Sequence, residues 1–252
     1  MDSTWFQRFT TAGNGPRLVC FPHAGGSAVA YKPLAHTLPA DFDVLSVQYP
    51  GRHDRYREAP FTDLAQLVEA VAEELTHVLA ADPERPYALF GHSMGALVAF
   101  ETARLLAQGE LPVPQRLFLS GRGAPDVRTT ARYDLYDDTD VLAEVRRLGG
   151  TDQSILDDPD VMEMVLPALR ADYRALGTYN WRGGEPLVAP MTVLVGDRDP
   201  VVTVEEAQTW REHTSGDVAL KVFPGGHFYL FDHLDAVAAA VTEGLLAEAA
   251  AS

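Results

Sequence analysis

The chain has 252 residues, 46% of them hydrophobic, and 36 acidic against 20 basic residues leave a formal charge of −16, which argues against nucleic acid or an anionic membrane as a partner, since both are bound by clustered Lys and Arg. One cysteine, Cys20, excludes a disulfide framework and a thiolate metal cluster. With no apolar run near the ~20 residues of a bilayer span, and no basic-then-apolar signal profile at residues 1–9, the expectation is one cytoplasmic domain spanning residues 1–252.

In chain order, the first strand signal is 16-PRLVCFP-22, in which Cys20 reads as core filling. A helical pattern at 27–38 leads to a second strand, 42-FDVLSVQYP-50, and a longer pattern at 61–80 leads to 86-PYALFG-91. A helix at 94–108 then precedes the strand 115-QRLFLSG-121. Further on, 191-MTVLVG-196 and 218-VALKVF-223 are followed by helical patterns at 203–213 and 228–249. Several of these runs are apolar almost throughout, as strands buried on both faces of a parallel sheet are. Regular alternation of strand and helix predicts an α/β fold, a mostly parallel sheet flanked by helices.

The interval 122–190 breaks the alternation, and a structureless loop of that length is improbable in a compact domain. Helical patterns at 138–148 and 160–177, the second with Val165, Leu169, Tyr173 and Leu176 near one face, point to an inserted helical cap over the C-terminal edge of the sheet. An excursion packed on the sheet is the alternative. Ten Asp and Glu against five Arg at 121–160 mark a polar, exposed stretch.

The segment 89-LFGHSMGALVAFETARLL-106 places Ser93 between Gly91 and Gly95, after a strand and before a helix. Such a turn pushes the serine hydroxyl above the sheet, and its glycines avoid a side-chain clash in the bend. Composition alone would yield about 0.05 GxSxG motifs in this chain, so the surrounding residues must decide. A serine hydroxyl needs an imidazole to take its proton and a carboxylate to orient that imidazole; in the α/β-hydrolase arrangement these follow in the order Ser, acid, His. His227, in 222-VFPGGHFYLFD-232, lies on a glycine loop after a strand. His92 is too close to Ser93 to fold back on it, and His233 falls six residues beyond His227, in the expected helix. For the acid, 194-LVGDRDPVV-202 offers Asp197 and Asp199; Asp199 stands further out on its loop, while Asp197 suits a turn cap. Acyl transfer also needs two donors for its oxyanion. These are assigned to the N–H of Met94, at a helix start, and the N–H of Ala24 in 21-FPHAGGS-27. His23 reads as a packing or hydrogen-bonding residue of that loop. No HExxH or calcium-loop pattern is present, so neither metal nor other cofactor is expected.

FPHAGGS, VQYPGRHDR, GHSMGALVAFE, GDRDPVV and FPGGHFYL, in this order over residues 5–245, resemble the type II thioesterases of polyketide synthase and nonribosomal peptide synthetase pathways. The resemblance implies an α/β-hydrolase fold with a helical lid, here at about 122–190, and hydrolysis of acyl groups from the phosphopantetheine arm of acyl or peptidyl carrier proteins, which act as partners in trans. It implies Ser93 as nucleophile, His227 as base, Asp199 as its orienter, and Met94 and Ala24 as oxyanion donors. Met162, Met164, Val165, Leu169 and Tyr173 are expected to shape an apolar acyl chamber, with core packing as the alternative. Arg52, Arg55 and Arg57, in 50-PGRHDRYRE-58, are a candidate carrier contact, against a plain solvated loop. Competing readings of the same residues are a small-molecule carboxylesterase or lipase, an acyltransferase, and a binding protein on the same fold.

Overall fold

The computed structural model describes residues 4–10, 13–127, 137–150 and 156–251. In chain order these form β1 (Phe6–Arg8), β2 (Arg17–Phe21), α1 (Lys32–Thr37), β3 (Asp43–Val47), α2 (Leu64–Ala80), β4 (Tyr87–His92), α3 (Met94–Leu106) and β5 (Arg116–Ser120). There follow α4 (Asp138–Leu148), α5 (Pro159–Thr178), β6 (Met191–Gly196), α6 (Val204–Gln208), β7 (Val218–Phe223), α7 (Tyr229–Asp232) and α8 (Leu234–Ala251). The strands make one sheet in the order β1-β3-β2-β4-β5-β6-β7. Every pairing from β3 to β7 is parallel, and only β1 runs antiparallel, with Phe6 opposite Val47 and Arg8 opposite Leu45.

Sequence reading missed β1. Three partly exposed residues are too short to display a period. Its place is fixed by the buried carboxylate of Asp43 on β3, which pairs with Arg8 of β1, Arg17 of β2 and Arg85 before β4.

The central strands are apolar on both sides because both sides are covered. Val19, Phe21, Leu89, Leu117, Leu119, Val193 and Val195 face one core with α2 and α3, while Leu18, Cys20, Phe90, Phe118 and Leu194 face a second with α1 and α8. Alternate side chains of one strand therefore enter different cores. The architecture is the α/β-hydrolase arrangement, and all loops leaving the C-terminal ends of the parallel strands share one edge, where sites in open α/β sheets form.

Between β5 and β6 the chain makes the expected helices, α4 and α5; residues 128–136 and 151–155 of this interval lie outside the described residues. Each helix opens on an aspartate whose carboxylate accepts a first-turn N–H, Asp137 for α4 and Asp158 for α5. Val141 of α4 packs with Leu169 and Tyr173 of α5, and Ala24, in the loop after β2, joins this small cluster. Both helices thus sit over the strand ends.

Candidate active site

Ser93 occupies the turn between β4 and α3 with φ +55° and ψ −117°, a conformation that side-chain-bearing residues rarely adopt. The crossing is too tight for side chains on either flank. A Cβ on Gly91 would stand 2.1 Å from the Gly95 carbonyl oxygen, and one on Gly95 1.9 Å from that of Phe21. The Ser93 N–H is tied to the Ser120 carbonyl of β5 at 2.8 Å.

His227 lies in the loop between β7 and α7, with its side chain buried. Its Nε2 stands 3.0 Å from Ser93 Oγ, and its Nδ1 2.9 and 3.0 Å from the two carboxylate oxygens of Asp199. A carboxylate only accepts, so Nδ1 carries the proton and Nε2 of the neutral ring presents its lone pair to the serine hydroxyl. Asp199 follows β6, has a fully buried side chain, and accepts the Val201 N–H at 2.8 Å. Ser93, Asp199 and His227 are therefore brought together in one hydrogen-bonded line.

Asp197 is excluded from that line. Its exposed carboxylate accepts the Gly225 N–H at 2.8 Å, a bond that holds its pKa below the usual value. Together with the Asp197 N–H to Phe223 and the Arg198 N–H to Gly225, it fastens the acid loop to the histidine loop. His233, between α7 and α8 rather than within a helix, braces the latter loop through Pro224 O at 2.8 Å.

β5 lies between the strands carrying the serine and the acid, and the histidine must reach across it. Its end is cleared by Gly121, at φ +61°, where a Cβ would meet His92 Cε1 at 2.5 Å and His227 Cε1 at 3.4 Å. Beneath His227 runs a buried chain that sequence reading did not single out, from His92 Nδ1 to Ser120 Oγ (2.9 Å) and on to Tyr229 Oη (2.6 Å). Burial, then the nearby His227 and His23, keep His92 well below the ordinary histidine range. His23 is lowered to about 4, first by burial and then by His227 and Arg52. Both rings thus stay neutral beside the triad-like line.

Met94 is the first residue of α3, where a helix N–H has no intrahelical acceptor and the dipole favours negative charge. Ala24 lies in the loop after β2; of its neighbours, the Gly26 N–H donates to the His23 carbonyl at 2.9 Å and the Gly25 N–H to Asp172 Oδ2 at 2.7 Å. Beside this loop is a cavity of about 100 Å³, lined by Ala24, Met162, Val165, Leu169, Tyr173 and Phe228 among others. Four of the five expected chamber residues thus border it.

Met164 does not. At 67% exposure it lies on the outer face of α5, because two residues along a helix from Met162 is more than half a turn away. The arginine patch is corrected as well. Arg52 is only 7% exposed and forms a bidentate pair with Asp172 at 2.6 and 2.8 Å, and Arg55 is equally buried, bonded to Gln48 O and Glu58 and stacked 4.2 Å over Trp5. Of the three, only Arg57 is exposed, against Tyr56. Asp172 was missed, though an acidic residue amid the apolar face of α5 is itself a signal, since buried aspartates are nearly always paired. Among the described residues no three His, Cys, Asp or Glu side chains converge as a metal site requires.

The family model for the thioesterase domain matches residues 16–244. Thioesterase PikA5 of Streptomyces venezuelae is 44% identical over 247 residues, covering 96% of this chain and 85% of that protein. Among solved structures, the type II thioesterase BorB from the borrelidin biosynthetic cluster superposes with a TM-score of 0.86 at 44% identity, over 97% of this chain and 99% of that one. YbtT, the type II thioesterase from the yersiniabactin NRPS/PKS biosynthetic pathway, gives a TM-score of 0.86 at 32% identity, over 97% and 99%.

Proposed function

The chain belongs to the thioesterase domain family, and from that premise we propose that it is a type II thioesterase that hydrolyses acyl groups from the phosphopantetheine arm of acyl or peptidyl carrier proteins, in trans, in polyketide or nonribosomal peptide assembly. One observation carries the reading: the continuous line Ser93 Oγ to His227 Nε2, and His227 Nδ1 to Asp199, at 3.0 and 2.9 Å. The similarity to thioesterases of biosynthetic clusters supports the substrate class.

Ser93 Oγ attacks the thioester carbonyl carbon while His227 Nε2 takes its proton, and Asp199 steadies the imidazolium. The carbonyl oxygen becomes an oxyanion held by the N–H groups of Met94 and Ala24. Collapse breaks the C–S bond, and the proton on Nε2 passes to the departing sulfur, leaving a free pantetheine thiol and an acyl ester on Ser93. Water then attacks the ester, His227 again takes the proton and returns it to Ser93 Oγ, and a carboxylic acid leaves. The thioester carbonyl is activated enough to need no metal. Helices α4 and α5 form the lid, and the apolar cavity they line beside the Ala24 loop is the candidate acyl chamber.

Carrier proteins loaded with different acyl groups and weighed by mass spectrometry before and after exposure should lose the acyl mass, and Ser93→Ala should abolish the loss. Faster cleavage of aryl or glycerol esters than of pantetheine thioesters would instead favour the carboxylesterase reading.

A further inference from the structure

The buried pair of Arg52 and Asp172 belongs to neither the triad nor the cavity wall, yet it ends on the loop that carries Ala24. Asp172 stands on α5 with 2% exposure. Its Oδ2 accepts from Arg52 Nη1 at 2.6 Å and from the Gly25 N–H at 2.7 Å, while Oδ1 accepts from Arg52 Nη2 at 2.8 Å. Arg52, on the loop after β3, also donates to the carbonyls of Gly26 (3.2 Å) and Pro50 (3.3 Å). Residues 25 and 26 are thus gripped from both sides, by a carboxylate on the N–H and a guanidinium on the C=O. One turn before Asp172, Leu169 presses on the same loop: a Cβ on Gly25, whose φ is +76°, would stand 2.7 Å from Leu169 Cδ1. Burial opposes the guanidinium charge, but the charge and hydrogen bonds of Asp172 outweigh it and hold Arg52 above its ordinary pKa.

An ion pair this deep is a poor source of net stability, since desolvation consumes much of its Coulomb attraction. It is, however, a stiff and directional clamp. We propose that Asp172 and Arg52 are positioning residues that aim the Ala24 N–H, so that the oxyanion hole is complete only when α5 is seated on the loop. The proposal rests on the reading of Ala24 as an oxyanion donor. It links the lid to the chemistry: an α5 that lifts takes the Gly25 acceptor with it, and the neighbouring amide loses its aim. Because the donor matters only once the oxyanion forms, its misplacement acts on the transition state rather than on substrate binding.

The test compares wild type, Arg52→Met/Asp172→Leu, Asp172→Asn and Ser93→Ala as full chains, on the acetyl thioester of N-acetylcysteamine and on a trifluoromethyl ketone that forms a tetrahedral adduct with the serine. The double variant replaces the ion pair by apolar side chains and is expected to keep a cooperative thermal transition. Its kcat should fall about 10- to 100-fold, as for a donor displaced by a fraction of an ångström to an ångström. KM should stay within about twofold, the pH midpoint should not move, and the ketone should weaken by the same factor as kcat. Asp172→Asn, which keeps one acceptor oxygen, should fall between wild type and the double variant. A double variant with kcat within twofold of wild type, or one whose KM rises while kcat holds, overturns the proposal even though Ser93→Ala is dead. Should Ser93→Ala turn over like wild type, it is the reading of the site that fails.

Discussion

Asp199 and His227, 28 residues apart in the chain, meet with both carboxylate oxygens within 3.0 Å of the same ring nitrogen. Because Asp197, two residues earlier, binds the backbone of the histidine loop instead, the two aspartates are separable in experiment.

Asp199→Asn should lower kcat by about 10⁴-fold with little change in KM, since the amide favours the wrong imidazole tautomer. Asp197→Asn retains an acceptor for Gly225 N–H and should leave kcat within about threefold. Steady-state kinetics on one thioester would check both, and a larger loss from the Asp197 change would reassign the acid.

Gly95→Ala should destabilise the protein by about 3 kcal/mol or more, because its methyl meets the Phe21 carbonyl, backbone that cannot move aside. Gly109→Ala, whose Cβ has nothing nearer than Leu106 O at 3.5 Å, should lie within about 1 kcal/mol of wild type. Urea denaturation reads both.

The neutral His23 ring predicts an acid-sensitive fold. Its pKa is lowered to about 4 in the fold against an ordinary 6.5, so below pH 6.5 the unfolded chain takes up a proton that the native protein refuses. Stability present above pH 6.5 should drain as pH falls and level off below about 4, amounting to roughly 3 kcal/mol from this ring. His23→Gln should flatten the slope of unfolding free energy between pH 6.5 and 4; an unchanged slope would refute the assignment.

Arg55→Ala should cost about 2–3 kcal/mol through its lost buried hydrogen bonds and its stack on Trp5, whereas Arg57→Ala should shift stability by less than about 0.5 kcal/mol. If any of the three arginines touches a carrier protein, only the Arg57 change should raise KM for a carrier-bound substrate.

Met162→Ala should enlarge the cavity and move the acyl-chain preference toward longer groups, each methylene shifting kcat/KM ratios by about 10-fold or more. Met164→Ala should change neither selectivity nor stability. A panel of acyl thioesters from two to eight carbons would separate them.

The fold was largely readable because a strand buried on both faces writes itself as a continuous apolar run, as Leu18 to Phe21 and Leu89 to Phe90 do. β1 was not readable, being three half-exposed residues that gain their conformation from β3. For the site, Ser93, Asp199 and His227 were named from strand ends and glycine loops, and the structure brings them into one line. Arg52 and Arg55 were misread since charge says nothing of depth. Arg52 finds its carboxylate 120 residues away, and no local pattern announces so distant a partner.

β5 supplies no proposed catalytic group, yet the imidazole spans it to reach the serine. Gly121, the residue that follows it, works by emptiness. Saturation mutagenesis of this gene should find position 121 intolerant, with even alanine failing, because the backbone there has φ +61° and a Cβ would stand 2.5 Å from Cε1 of His92, the ring packed against the imidazole of His227. A map of tolerance would therefore mark a spot of vacant space among the chemistry, and anyone redesigning this scaffold has to conserve an absence.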